Sequence, residues 1–110
     1  MAYLGEFEQH ILFSLLRLGK DAYGVAIRED IEQATGRAVS SGAIYTTLGR
    51  LEERGLVTSR EVDAAPGRVG RPRKYYRLES SGARALKDSY DRLQAMAGGV
   101  MSKLTKLADG

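Results

Sequence analysis

Ten residues, 68–77, hold the densest chemistry in the sequence: Arg68, Arg71, Arg73, Lys74 and Arg77, with no acidic residue among them. This run carries +5 in a chain of net charge +3, which leaves −2 for the rest. A near-neutral body with one concentrated cationic element suits an anionic partner met at a defined place; on charge alone, a solvated basic loop is the alternative. A second constellation precedes it. If Ile44, Leu48 and Leu51 face a core, then Ser41, Gly42, Tyr45, Thr46, Gly49 and Arg50 share the opposite side of one helix. Hydroxyls there can meet phosphates and base edges, a threonine methyl can meet thymine, and glycine permits close approach. Ser41 beside the free amides of a helix start suits a phosphate.

Catalysis finds no comparable support. His10 is the sole histidine, at an exposed or rim position without a nucleophile or second ligand nearby, and there is no cysteine. Glu52 and Glu53 stand beside Arg50 and Arg54, where solvated helix pairing is the expected role. No phosphate-binding glycine loop or metal-spaced cluster occurs, so neither an enzyme, a cofactor nor a metal site is expected.

The elements that must position these residues follow from periodicity. Phe7, Ile11, Leu15 and Leu18, widened by Leu12 and Leu16, predict a first helix over Glu6–Leu18 ending at Gly19. A second is expected to be capped by Asp21, to bury Ile27, Ile31 and Ala34, and to stop at Gly36. Ser40 or Ser41 caps a third, which closes at Gly55. The short glycine-containing connection between the second and third makes a helix-turn-helix. Leu56–Val62 and Lys74–Leu78 read as strands around a Pro- and Gly-containing loop, which together form a wing.

Ser80 or Ser81 is then expected to cap a fourth helix. Its residues Leu86, Tyr90, Leu93, Ala97, Val100, Leu104 and Leu107 keep heptad spacing. A continuous helix from about Ser81 to Leu107 would reach roughly 40 Å, too long for a small domain to cover. A homodimer is expected, held by Leu86, Tyr90, Leu93, Val100 and Leu104 with Phe7 and Leu12 of the first helix. The alternative is fraying at Gly98 and Gly99, each costing about 1 kcal/mol in a helix interior. The fold class is thus mainly α with a small β component (α+β): a winged helix-turn-helix with a two-stranded wing and a long C-terminal dimerisation helix. Residues 1–79 would be the DNA-binding domain and 80–110 the dimerisation helix. With 110 residues, 43% hydrophobic and 28% charged, the chain is an ordinary globular one rather than disordered. It shows no signal peptide or membrane-length apolar run, so a cytoplasmic location without membrane association is expected.

The runs Ala22-Tyr23-Gly24-Val25-Ala26-Ile27, Ser41-Gly42-Ala43-Ile44-Tyr45, Leu48-Gly49-Arg50-Leu51-Glu52-Glu53-Arg54-Gly55-Leu56-Val57 and Arg73-Lys74-Tyr75-Tyr76-Arg77-Leu78, with Gly36 between the first two, resemble the PadR family of repressors over roughly Leu4–Leu86. The resemblance implies a winged-helix dimer that represses a nearby promoter and is often released by a small molecule. The short C-terminal region resembles the branch with a single dimerisation helix. By the same resemblance Tyr23 reaches the DNA backbone; a buried ring with a satisfied hydroxyl is the alternative for Tyr23 and for Tyr45. Two departures stand out: Thr46-Thr47 replaces the proline many relatives have after the tyrosine, and Glu79 replaces a usual capping threonine.

The expected function is sequence-specific binding of double-stranded DNA, as a repressor on a palindromic operator. Tyr45 and Thr46 would read the major groove while Ser41 and Arg50 hold phosphates. Gly70-Arg71-Pro72 is similar to the core of an AT-hook, because Pro72 restricts Arg71 to an extended conformation. Arg71 would then enter an A·T minor groove, with Arg68, Arg73 and Lys74 on bordering phosphates; a wing making phosphate contacts only is the alternative. A small hydrophobic or aromatic effector would lie near Tyr90, Met96, Met101 and the gap left by Gly98 and Gly99. The rival functions are a winged-helix interaction module docking an acidic protein and an RNA-binding winged helix.

Overall fold

The computed structural model describes residues 3–63, 70 and 72–110; Arg68 and Arg71 of the basic run, and with them the wing tip, lie outside these. The chain order is α1 (Glu6–Leu18), a 3₁₀ turn (Gly19–Asp21), α2 (Gly24–Thr35), α3 (Ser41–Glu53), β1 (Val57–Val62), β2 (Arg73–Leu78), α4 (Ser80–Ala97) and α5 (Met101–Asp109). The apolar stripes of the first three helices meet in one core. Ile11, Leu12 and Leu15 of α1 pack with Ile27 and Ile31 of α2 and with Ile44, Leu48 and Leu51 of α3; Leu56, Val57, Tyr76, Ala85 and Leu86 close it. Each such side chain contributes about 1.5–3 kcal/mol on burial. Ala34 and Leu16, expected at the edges of these stripes, are exposed.

The helix starts show where tertiary structure overrides local signals. Ser40 caps α3, its Oγ accepting the Ala43 N–H at 3.0 Å. Asp21 does not cap α2: it lies in the 3₁₀ turn, and Tyr23 holds the N-cap position without a side-chain bond. The reason is that residues 22 and 23 join the sheet. The Tyr76 N–H donates to the Ala22 carbonyl at 2.8 Å, and Tyr23 forms a β-bridge with Tyr75. Neither Ser80 nor Ser81 caps α4. Glu79 takes that position, and the Ser81 hydroxyl instead donates to the Gly55 carbonyl at 2.7 Å, fastening α4 to the end of α3.

β1 and β2 pair antiparallel from Val57↔Leu78 to Val62↔Arg73. Strand alternation puts Ser59, Tyr76 and Lys74 on the face toward α3, and Thr58, Arg60, Tyr75, Arg73 and Arg77 on the outer face.

The expected single long helix is two helices. Gly98 leaves the helical region with ψ 128°, and Gly99 adopts φ 81°, a left-handed conformation that side chains disfavour. Apolar spacing that stays in phase across the glycines says nothing about the backbone path between them. Two residues assigned to the dimer surface also change place. Leu12 is 0% and Leu86 3% exposed within the chain's own core, so neither has a face to offer a partner copy. Phe7 is half-buried against that core, with the Arg37 guanidinium 5.8 Å from its ring centre. Tyr90 meets Phe13 edge to face at 6.1 Å, and beyond Ser89 nothing in α4 or α5 is buried.

Candidate nucleic-acid interface

The amphipathic period of α3 decides which side chains the surface receives. With Ile44, Leu48 and Leu51 inward, Ser41, Gly42, Tyr45, Thr46 and Arg50 are all exposed, and no carboxylate occurs between Ser41 and Arg50. Because Ser40 takes the Ala43 amide, the Ser41 and Gly42 amides at the helix start have no intrahelical acceptor. Arg28 of α2 reaches this point: its Nη1 donates to the Ser41 hydroxyl at 3.3 Å, and its buried Nε has no partner among the described residues. Free amides, a hydroxyl and a guanidinium converge on one spot, a suitable seat for a phosphate. Sequence reasoning missed Arg28. It is one of several arginines on helix surfaces, and only the turn between α2 and α3 brings it to Ser41.

Tyr45 is neither fully exposed nor a buried ring. Its ring lies against the start of α2, where a Cβ on Gly24 would collide with the ring and its hydroxyl, yet the residue remains 49% exposed. Glycine at 24 is therefore what allows α3 to lie so close to α2 there. Tyr23 is half-buried and tied to the wing. Its ring packs on Tyr75 at 5.6 Å, and the Arg73 guanidinium lies 4.4 Å from its centre.

The basic run looks different in space than in sequence. Arg73 and Lys74 fall on opposite faces of β2, so they do not form one patch. Lys74 Nζ turns toward Glu52 of α3 at 3.8 Å, and Arg77 toward Glu79 at 3.6 Å. Glu52 also accepts the Ser59 hydroxyl at 2.6 Å, which makes it the link between α3 and the wing rather than a partner of Arg50 or Arg54. Arg54 instead bridges to Glu8 at 3.0 Å and to the Tyr3 carbonyl at 3.2 Å. Burial, and then the charge of Glu52, push the Tyr76 phenol above its ordinary value, so it stays a neutral wedge under the sheet.

Other sequence candidates are dispersed. His10 is half-buried on α1, with Nε2 4.0 Å from Glu6 and a buried Nδ1 that has no partner among the described residues. Tyr90 borders a small apolar cleft of about 210 Å³ with Phe13 and Leu16, but Met96 and Met101, expected beside it, are exposed and do not line it. Among the described residues, no group of His, Cys, Asp and Glu could hold a metal ion, and no helix is long and apolar enough to cross a membrane.

Comparison with known proteins places this geometry. No curated protein matches the chain. A PadR family transcription regulator from Clostridium difficile is 24% identical, covers 91% of this chain and 99% of its own, and superposes with a TM-score of 0.70, a likeness of fold. A PadR family transcriptional regulator from Eggerthella lenta is 28% identical over 90% of this chain and 86% of its own, with a TM-score of 0.64. Bacillus subtilis PadR, solved in complex with operator DNA, is 27% identical over 74% of this chain but only 45% of its own, with a TM-score of 0.63. Residues 12–88 match the sequence signature of the transcriptional regulator PadR-like family, and the winged helix built from them is the fold of its solved members: the chain belongs to the PadR-like family.

Proposed function

We propose that this chain is a sequence-specific DNA-binding regulator of transcription that works as a homodimer in the cytoplasm and represses a promoter through a palindromic operator. The observation that carries the reading is the exposed face of α3, which offers hydroxyls, glycine and arginine from Ser41 to Arg50 without one carboxylate. Bacillus subtilis PadR holds operator DNA, and the likeness between the two chains supports the same partner here. Thr46 and the exposed edge of Tyr45 are the readers; Ser41, Gly42, Arg28 and Arg50 hold phosphates. Tyr23 and Arg73 form a second backbone contact at the base of the wing. Arg68 and Arg71 would extend it toward the adjacent minor groove.

Division of labour follows the chain, with residues 1–79 contacting DNA and 80–110 assembling the dimer, although the first turns of α4 also serve the core. Tyr90, Leu93, Val100 and Leu104 are the assembling residues, because each is large, apolar and exposed in the single chain. Two-fold symmetry of the protein then implies two-fold symmetry of the operator. A small molecule that releases the DNA completes the reading.

A mobility-shift assay with duplex DNA from around the chain's own gene, at moderate salt, tests it. Retention that resists competing duplex RNA is expected; no retention, or equal competition by RNA, overturns the reading. Replacing Arg71 with Ala should weaken binding to A·T-flanked sites more than to G·C-flanked ones. An equal loss on both flanks makes the wing a phosphate clamp only.

A further inference from the structure

The outer face of the wing sheet and the C-terminal end of α1 enclose a groove of about 610 Å³, within the range of roughly 300–1,000 Å³ typical of small-molecule sites. Its apolar surface comes from Leu15, Leu16, Tyr75, Tyr76 and Leu78. Leu16 points here from α1 and is 59% exposed, an unusual position for a leucine that the helix could otherwise bury. Around this surface stand three cations, Lys20, Arg60 and Arg77, together with the hydroxyl of Thr58, and no carboxylate among the described residues lines the groove. The adjoining acid, Glu79, is already engaged: it accepts the Thr58 hydroxyl at 2.7 Å and faces Arg77 at 3.6 Å. Lys20 and Arg60 have no ion pair among the described residues. The Arg60 guanidinium lies 4.9 Å from the centre of the Tyr75 ring, which holds it at the groove wall.

We propose that this groove binds a small organic anion with a flat apolar body. The acidic head, a carboxylate, sulfonate or phosphate, sits between Lys20 and Arg60, and the body lies on Leu16 and Tyr75. Two cations without an ion pair among the described residues, beside an aromatic surface, attract an anion, while the apolar floor gains only from a ligand that also has carbon to bury. Arg60 and Tyr75 lie on the sheet face turned away from α3, and of the residues facing α3 only Ser59, Tyr76 and Leu78 of the strands border the groove. As the class of effector for the regulator proposed above, the ligand rests on that reading; binding itself does not, and is measured without DNA.

Two fluorescent probes with the same aromatic body provide the test: 8-anilinonaphthalene-1-sulfonate and its neutral counterpart N-phenyl-1-naphthylamine, each titrated into the full chain. The sulfonate should bind more tightly than the neutral probe. Lys20→Ala and Arg60→Ala should each weaken the sulfonate about tenfold, the loss of one charge-assisted contact, and leave the neutral probe nearly unchanged. Tyr90→Ala, in the apolar cleft that shares only Leu16 with the groove, should leave the sulfonate affinity intact. Equal affinity of the two probes overturns the proposal, as does sulfonate binding that ignores Lys20→Ala and Arg60→Ala but fails in Tyr90→Ala. In the mobility-shift assay without probe, Arg60→Ala should bind DNA like the parent chain. A uniform loss across sequences would make Arg60 a phosphate contact and overturn the ligand site. If the parent chain retains no DNA, the regulator reading fails while the probe result stands.

Discussion

The molecule has two regions of similar apolar character and opposite fate. From α1 to the first turns of α4, Ile and Leu side chains disappear into one core; from Tyr90 onward, Leu93, Met96, Leu104 and Leu107 all remain in the open. The difference teaches what each region needs. The winged helix supplies its own burial, so its shape does not wait for a partner. The tail does not. A nine-residue helix such as α5 is too short to persist on its own in water, and its apolar residues gain nothing until another surface covers them.

The sharpest way to break this contrast is to charge the tail. Leu93→Glu should yield a folded monomer by sedimentation and cut affinity for a two-half-site operator by about 10²–10⁴, the range of avidity from linked sites. Affinity for a single half-site should stay the same. A variant that remains dimeric would place assembly elsewhere. Next in size is a paired truncation. Leu48→Ala should cost about 2–5 kcal/mol in denaturant unfolding. Leu104→Ala, measured at concentrations where the chain is monomeric, should stay within about 0.5 kcal/mol. Equal losses would show that the tail shares the core.

Within the reading region, Thr46→Ala should cost on the order of 1–3 kcal/mol and relax preference at one base pair. Arg28→Ala should weaken every sequence alike and reduce the salt slope by about one unit. An Arg28 variant that alters base preference would move it from phosphate holder to reader.

The smallest effect concerns the pair joining α1 to α2. Arg17 donates to both carboxylate oxygens of Asp30, at 3.2 Å to one and at 3.1 and 2.8 Å to the other. Those bonds, opposed by partial burial, hold Asp30 below its ordinary 3.8. A carboxylate depressed in the folded state adds stability that is complete above its unfolded value and is lost as pH falls through the folded one. Because Arg17 is half-exposed and solvent screens the pair, Asp30→Asn should cost only about 0.2–1 kcal/mol at neutral pH. That difference should shrink as pH falls below the ordinary 3.8 and vanish once the folded-state carboxyl is protonated. A cost that persists in acid would be due to packing rather than charge.

Much of this was legible in the sequence because helical periodicity reports burial directly. The spacing of Ile44, Leu48 and Leu51 alone puts Ser41, Tyr45, Thr46 and Arg50 on the surface, where the structure has them. What escaped was whatever depends on residues distant in the chain. Asp21 has the right chemistry for a cap but lost to the sheet pairing of Ala22 and Tyr23. Lys74 has no acidic residue close to it in sequence on the side of the basic run, yet folding brings Glu52 of α3 to 3.8 Å from it. The helix break was foreshadowed by Gly98-Gly99, but an apolar repeat that continues in phase conceals it, since spacing records residue counts and not direction.

The bond from the Tyr76 amide to the Ala22 carbonyl has a further consequence in time. It crosses from the wing strand to the segment that starts α2, beneath the Tyr23–Tyr75 bridge, and neither end can open without the other. In hydrogen exchange the Tyr76 amide should therefore be released only when the whole winged helix unfolds, while amides near Val62 and Arg73, at the far end of the strands, exchange by local fraying. The wing is clamped at its root, so a push delivered there is passed along the sheet to Tyr23.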